Sequence, residues 1–228
     1  MQNQTDQIMW RKDRAARDVP LSTLFDDPFF SLEDGVAETE YVFLEGNDLP
    51  ARFRAGFHIS ELGFGTGLNL LIAWDAWERS GQTGPLHFTS FEAFPMSQDD
   101  MRRAHAAFPE FSGKRALLSE VWTGQGGLLE LPGLQVEVII GDARETVANW
   151  QAAADAWFLD GFSPAKNPEL WSPALMQDVA RHTKPNGTVA TYTAAGHVRR
   201  ALAEAGFEVT RIPGFGRKRH MTRAVIQR

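Results

Sequence analysis

The sequence predicts an α/β fold, a doubly wound and mostly parallel sheet covered by helices, with the final strand antiparallel to the rest. Three observations lead there. From residue 57 onward, short apolar runs alternate with helix-like segments. The first run ends in Glu61-Leu62-Gly63-Phe64-Gly65-Thr66-Gly67, a glycine-rich turn placed directly before a helix. The last two runs follow one another with no helix between them, as a hairpin does.

The elements justify this in order. Residues 57–62 form an apolar strand and 68–77 an apolar helix; 86–91 form a second strand closing on Glu92. Ser97 is an N-cap followed by Asp99 and Asp100 in the first turn of a helix running to about residue 108. A third strand, 136–140, stops at Gly141-Asp142, and a fourth, 156–159, stops at Asp160-Gly161. Asn167-Pro168-Glu169 reads as cap, proline at the first helical position, and acid, opening a helix towards Arg181. Asn186-Gly187 turns into a fifth strand, 188–193, and a helix over 197–205 is stopped by Gly206. Strands at 207–212 and about 222–227 close the chain. Two segments follow: an N-terminal extension, 1–56, and the sheet domain, 57–228.

The chain has 228 residues, 43% hydrophobic and 23% charged, enough for one sizeable core and unlike disorder, collagen or coiled coil. Zero cysteines exclude a disulfide framework, an iron–sulfur cluster and a thiolate zinc site. The start, MQNQTDQIMWRKDR, is polar and has no apolar signal core, and no stretch approaches the ~20 apolar residues of a membrane span. A cytoplasmic protein without membrane attachment is expected. The net charge of -6 hides an asymmetry: residues 181–228 hold ten Lys/Arg against two acids, so the tail is +8 and the rest -14.

The candidate chemistry sits at strand ends, where doubly wound folds bind ligands. Gly63, Gly65, Thr66 and Gly67 let a ligand approach backbone at a helix N-terminus; the alternative is an ordinary tight turn. The spacing acid, then G-x-G-x-G, departs from the G-x-G-x-x-G that seats a pyrophosphate, and Glu61 suits a zwitterionic tail better than a diphosphate. Glu92 can accept from ribose hydroxyls, or be a solvated carboxylate. Asp142 can accept from an adenine amino group, or cap a helix. At the fourth strand end, Asp160 can orient an ammonium and take its proton, since an alkyl amine with a pKa of ~10 is protonated at pH 7. Phe162 and Trp171 can wall the reacting centre; Trp171 is equally a core residue. The sixth strand runs parallel to the first five, so the basic loop Gly214-Phe215-Gly216-Arg217-Lys218-Arg219-His220 emerges on the Asp160 rim. With Arg199 and Arg200 it suits RNA, Phe215 offering a stacking face; the alternative is a solvated hairpin tip. The six histidines show no metal-ligand spacing, and no metal is expected.

Leu24-Phe25-Asp26-Asp27-Pro28-Phe29-Phe30, Glu38-Thr39-Glu40-Tyr41-Val42-Phe43-Leu44, ELGFGTGLN at 61–69, FEAFP at 91–95, DAWFLDGFSPAKNPELW at 155–171 and GFGRKRHM at 214–221 together resemble the methyltransferase domain of the MnmC-type tRNA wobble-uridine modification enzymes. The resemblance spans nearly the whole chain. It implies a Rossmann-like, class I S-adenosylmethionine-dependent methyltransferase that methylates 5-aminomethyl-(2-thio)uridine of tRNA to 5-methylaminomethyl-(2-thio)uridine. It further implies cofactor contacts from Phe30, Tyr41, Asn69, Ala93 and Ala143 beside the residues above, with the extension lying over the cofactor. Ser163, Trp171, Arg199, Phe215, Arg217, Lys218 and Arg219 would meet substrate. The chain ends at Arg228 with no second glycine fingerprint, so a stand-alone form lacking the flavin oxidase domain is expected, its substrate prepared by a separate oxidase or upstream modification enzyme. The rival readings are a polyamine-like N-methyltransferase or aminopropyltransferase, and an RNA-binding module with a degenerate cofactor fold.

Overall fold

The computed structural model describes residues 8–227. The polar start at 1–7 and Arg228, both counted in the charges above, lie outside the described residues. The chain opens with a three-stranded antiparallel sheet, β1 (Ile8–Lys12), β2 (Asp18–Ser22) and β3 (Asp27–Pro28). Helix α1 (Gly35–Thr39) follows, capped by the Asp34 carboxylate accepting from Ala37 N at 3.1 Å, and runs on through a π turn (Glu40–Leu44). The main sheet takes β4 (His58–Leu62), β5 (Leu86–Glu92), β6 (Gly127–Leu131), β7 (Leu134–Ile140), β8 (Ala154–Leu159), β9 (Thr183–Thr191), β10 (Glu208–Pro213) and β11 (His220–Val225). Helices α2 (Leu68–Arg79), α3 (Gln98–His105), α4 (Ser112–Val121), α5 (Ala143–Asn149), α6 (Pro173–Arg181) and α7 (Gly196–Glu204) cover it.

Strand order is β10-β11-β9-β8-β4-β5-β7-β6. β4 pairs in parallel with both β5 and β8, so the order reverses beside β4, the switch point where such sheets open a crevice. β11 is antiparallel to both β9 and β10, which makes β10 parallel to β9 and puts the loop after β10 on the crevice rim. Side chains alternate across the sheet because successive Cβ atoms point to opposite faces. On β8, Ala156 and Phe158 join the core under α2 and α3, while Trp157 and Leu159 join the core under α6 and α7. A strand buried on both faces reads as a continuous apolar run. Val42, Phe43, Leu44, Leu49 and Phe53, all before residue 57, pack into the same core as Ile59 and Leu70.

One local expectation changes, and two elements of the sheet domain are additions to it. The helix expected from Asn167 begins at Pro173; residues Pro168–Trp171 form a 3-10 turn instead. Pro173 disfavours helical backbone at Ser172, which takes an extended conformation and restarts the helix as its N-cap. Helix α4 and strand β6 have no counterpart in the sequence reading. β6 is the sheet edge, hairpinned to β7 through Pro132-Gly133, and its exposed Leu128 blurs the alternation expected of a strand.

Candidate active site

A cavity of about 600 Å³ opens where β4, β5, β7 and β8 end. Its floor is the glycine turn. Gly63 has φ +84°, and a Cβ there would lie 3.4 Å from Gly161 Cα of the neighbouring strand end; Gly65 has φ +53°, and its Cβ would lie 3.3 Å from the Phe29 ring. Positive φ at both positions excludes side chains at little cost only with glycine. The turn is held from below: buried His105 donates from Nε2 to Thr66 O at 2.7 Å, and its Nδ1 lies 3.1 Å from Ser119 Oγ. Burial lowers the His105 pKa, which suits the neutral ring. Gly67 lies off the cavity wall; it caps α2 with a left-handed backbone, close against Phe64 and Leu118.

Acids stand at each strand end. Glu92 lines the cavity, and its two oxygens accept from Gly65 N at 2.9 Å and Phe94 N at 2.7 Å, tying the two loops together. Burial raises its pKa, against the lowering by these N–H donors. The N–H groups of Phe64 and Ala93 also act on it, so the carboxylate is held by the backbone of both loops while it faces the cavity. Asp142 caps α5 by accepting from Arg144 N at 2.9 Å, and it is also paired with the Arg144 guanidinium, which lowers its pKa. Asp142, Ala143 and Ala93 all line the cavity.

At β8 the arrangement differs from expectation. The Asn69 amide sends one N–H to Glu61 Oε1 at 2.7 Å and one to Asp160 Oδ2 at 2.8 Å; Asp160 Oδ1 accepts from Gly161 N at 2.8 Å. Asn69 and Asp160 line the cavity, and burial raises the Asp160 pKa to about 6. Glu61 does not line it. On β4 it shares the Ile59 face, stands opposite Ser90 of β5, accepts from Ser90 Oγ at 2.6 Å, and is fully buried with its pKa pushed well up by desolvation. The expected contact of Glu61 with a ligand's amino group is therefore replaced by support of Asn69.

The roof comes from the chain's beginning. Phe25, Asp27, Phe29, Phe30 and Glu38 line the cavity, and Phe25 stacks on Phe162 at 4.6 Å between ring centroids. Asp27 accepts from Ser163 N at 2.8 Å, and Lys166 bonds Asp26. Phe162 and Ser163 thus face the cavity as expected. Trp171 does not: it is 1% exposed and donates from Nε1 to Phe162 O at 3.0 Å, so it props the loop from the core. Tyr41, expected over the cavity, lies outside it, its hydroxyl donating to Pro213 O at 3.1 Å and its ring leaning on Phe215.

The basic tail splits in two. Lys218 reaches the cavity and pairs with Glu38 at 2.7 Å, and Arg217 pairs with Glu33 at 3.0 Å. Phe215 is half-buried, leans on Tyr41 at 6.0 Å between ring centroids, and does not line the cavity. Arg219 and Arg199 also lie off the cavity lining; with Arg211 they surround His220, whose pKa desolvation and these three charges lower. Among the described residues no carboxylate is in ion-pair range of these three arginines.

The sequence reading missed the cavity roles of Phe25, Phe29, Asp27, Glu38, Arg144 and Tyr192. The cluster of phenylalanines beside Asp26-Asp27 was the available signal, since aromatic side chains that dense in a polar extension need something to cover. Among the described residues no group of three His, Asp or Glu could hold a metal, and no helix is long and apolar enough to cross a membrane.

A parallel sheet with a glycine turn and acids at successive strand ends around one crevice defines a doubly wound enzyme built for a nucleoside-type cofactor. The profile of the S-adenosyl-L-methionine-dependent methyltransferases matches residues 114–227, and the chain belongs to that family. It is 46% identical over 220 residues to the tRNA 5-methylaminomethyl-2-thiouridine biosynthesis bifunctional protein MnmC of Stutzerimonas stutzeri, covering 92% of this chain and 33% of that protein. The MnmC of Caulobacter sp. K31 is 44% identical, covering 96% and 38% respectively. The chain thus spans about a third of the length of these curated relatives. The crystal structure of MNMC2 from Aquifex aeolicus superposes with a TM-score of 0.75 at 27% identity, covering 97% of this chain and 71% of that one.

Proposed function

We propose that this chain methylates the primary amine of 5-aminomethyl-(2-thio)uridine at the tRNA wobble position, giving 5-methylaminomethyl-(2-thio)uridine. The observation that carries the reading is Asp160, a half-buried carboxylate on the wall of a cofactor-sized cavity, with its pKa raised to about 6. The MnmC relatives, named for tRNA modification rather than for small-amine chemistry, supply the substrate class.

S-adenosylmethionine, when bound, supplies an electrophilic methyl group. The residues present fit it: a side-chain-free turn at Gly63 and Gly65 leaves room for close backbone approach, Glu92 is a carboxylate fixed on the wall where ribose hydroxyls could donate, and Asp142 stands where an adenine amino group could donate. Thr66, Asn69, Ala93 and Ala143 complete the walls, and the segment carrying Phe25, Phe29 and Phe30 acts as the cover that excludes water. Asp160 holds the substrate ammonium and accepts its proton, freeing the nitrogen lone pair for in-line attack. Phe162 packs beside it, Trp171 fixes the Phe162 carbonyl, and Ser163 stays at the rim. Phosphate contact falls to Arg199, Arg211 and Arg219, whose charges have no acidic partner among the described residues, rather than to Arg217 or Lys218. An enzyme installing the free aminomethyl group would act first.

The test is incubation with labelled S-adenosylmethionine and tRNA from cells lacking this methylation, followed by nucleoside mass spectrometry. Label in 5-methylaminomethyl-(2-thio)uridine is expected; label in another nucleoside, or only in free polyamines, overturns the reading.

A further inference from the structure

Glu38 is a cavity-lining acid that the function above leaves without a role. Its side chain is 13% exposed, and Oε1 accepts from Lys218 Nζ at 2.7 Å. The same Nζ stands 4.3 Å from the centre of the Tyr192 ring, which is fixed by its hydroxyl donating to Gly161 O at 2.8 Å. A carboxylate edge and an aromatic face converging on one ammonium is the arrangement by which proteins recognise alkylammonium groups. It opens on the cavity that holds Asp160, close enough that the Glu38 and Lys218 charges act on Asp160 in opposite directions.

We propose that Glu38 and the Tyr192 ring first receive the ammonium of the incoming substrate amine, before Asp160 takes it over in the same cavity, and that Lys218 occupies this entry site as an internal stand-in until substrate arrives. This rests on the reading that the substrate is a primary amine. A lysine side chain and an aminomethyl group are both primary alkylammonium ions at neutral pH, so one pocket serves both. Lys218 is suited to leave: its side chain is 46% exposed, on a flexible stem in the β10–β11 loop. The loop itself stays in place, held to the chain's beginning by Arg217 with Glu33 and by Tyr41 with Pro213. A phosphate would be repelled by Glu38, which separates this site from the arginines around His220.

The experiment compares the affinity of the full chain, with S-adenosylhomocysteine present, for tRNA bearing 5-aminomethyluridine and for the same tRNA with an unmodified wobble uridine. Glu38→Gln is expected to lower the ratio of the two affinities about tenfold, the scale of one charge-assisted hydrogen bond, while hardly moving the affinity for unmodified tRNA. Glu38→Asp, which keeps the charge, retains part of the ratio. Lys218→Met raises the ratio because the competitor is gone. Parallel changes in both affinities, or a lower ratio in Lys218→Met, overturn the proposal and leave the pair as a structural latch. Methylation by the wild type is run alongside. If it fails on the aminomethylated tRNA, the functional reading falls and this site with it; if it succeeds and Glu38→Gln leaves the ratio unmoved, only this site falls.

Discussion

Replacing Asp160 by Asn removes a proton acceptor while keeping shape, and its effects separate into two magnitudes. The carboxylate accepts from Asn69 Nδ2 and from Gly161 N, each at 2.8 Å. An Asn carries one acceptor oxygen, so one of these donors meets an NH2 group, costing about 1–3 kcal/mol of stability. The catalytic loss is larger: a positioned general base contributes roughly 10²–10⁴-fold. With a pKa of about 6, Asp160 is mostly ionised at pH 7 and mostly protonated at pH 5. Wild-type kcat/KM should therefore fall about tenfold for each pH unit below 6 and level off above it, whereas Asp160→Asn should lack that break and rise steadily with pH, since only amine already deprotonated in solution can react. The assay is initial methylation rate against pH, with calorimetric titration of S-adenosylhomocysteine as a check that the cavity is intact. A variant with near wild-type turnover, or one that keeps the break near pH 6, would refute the role of Asp160 as base.

Glu61→Gln should leave S-adenosylhomocysteine affinity within a few-fold of wild type, since Glu61 touches Asn69 and Ser90 and not the cavity; a loss of two orders of magnitude in calorimetry would return it to the binding wall. Arg211→Ala and Arg219→Ala should each reduce the slope of log affinity for tRNA against log salt by about one, and Arg217→Ala, already neutralised by Glu33, should change it less; equal slopes in all three would remove the arginine cluster from the phosphate interface. His58 is held at a pKa of about 4 by burial first, then by the charges of His87 and Lys184, with Asp155 opposing. The unfolded chain thus binds more protons between pH 6.5 and 4, so the stability His58 contributes is present above pH 6.5 and lost as pH falls, by up to roughly 3 kcal/mol. Urea unfolding at pH 7 and pH 5 should show this loss in the wild type and a smaller one in His58→Gln; identical losses would mean that His58 is accessible to protons in the fold.

The sequence by itself determined the alternation of parallel strands and helices from residue 57 and the closing hairpin, the glycine turn, and the acids at the strand ends, but not β1–β3, α1, α4 or β6. Those features are written in local terms: apolar period, caps, and the backbone freedom that only glycine has at Gly63 and Gly65. It placed Glu92, Asp142 and Asp160 on the cavity wall because a strand end has only one rim to reach. It could not decide what each side chain meets across the fold. Glu61 is one residue before the strand end, and the alternation of Cβ directions turns it under α2, where Asn69 and Ser90 take it. Trp171 looked equally like wall and core, and a hydrogen bond to the Phe162 carbonyl sent it to the core. The tail's charge was legible as a sum; which charges remain unpaired was not. Lys218 meets Glu38 and Arg217 meets Glu33 across more than 170 positions of chain, whereas Arg199, Arg211 and Arg219 have no carboxylate in ion-pair range among the described residues and act together on the His220 charge. Pairing at that separation depends on how β10 and β11 join the sheet beside the chain's beginning, and only the tertiary structure carries that information.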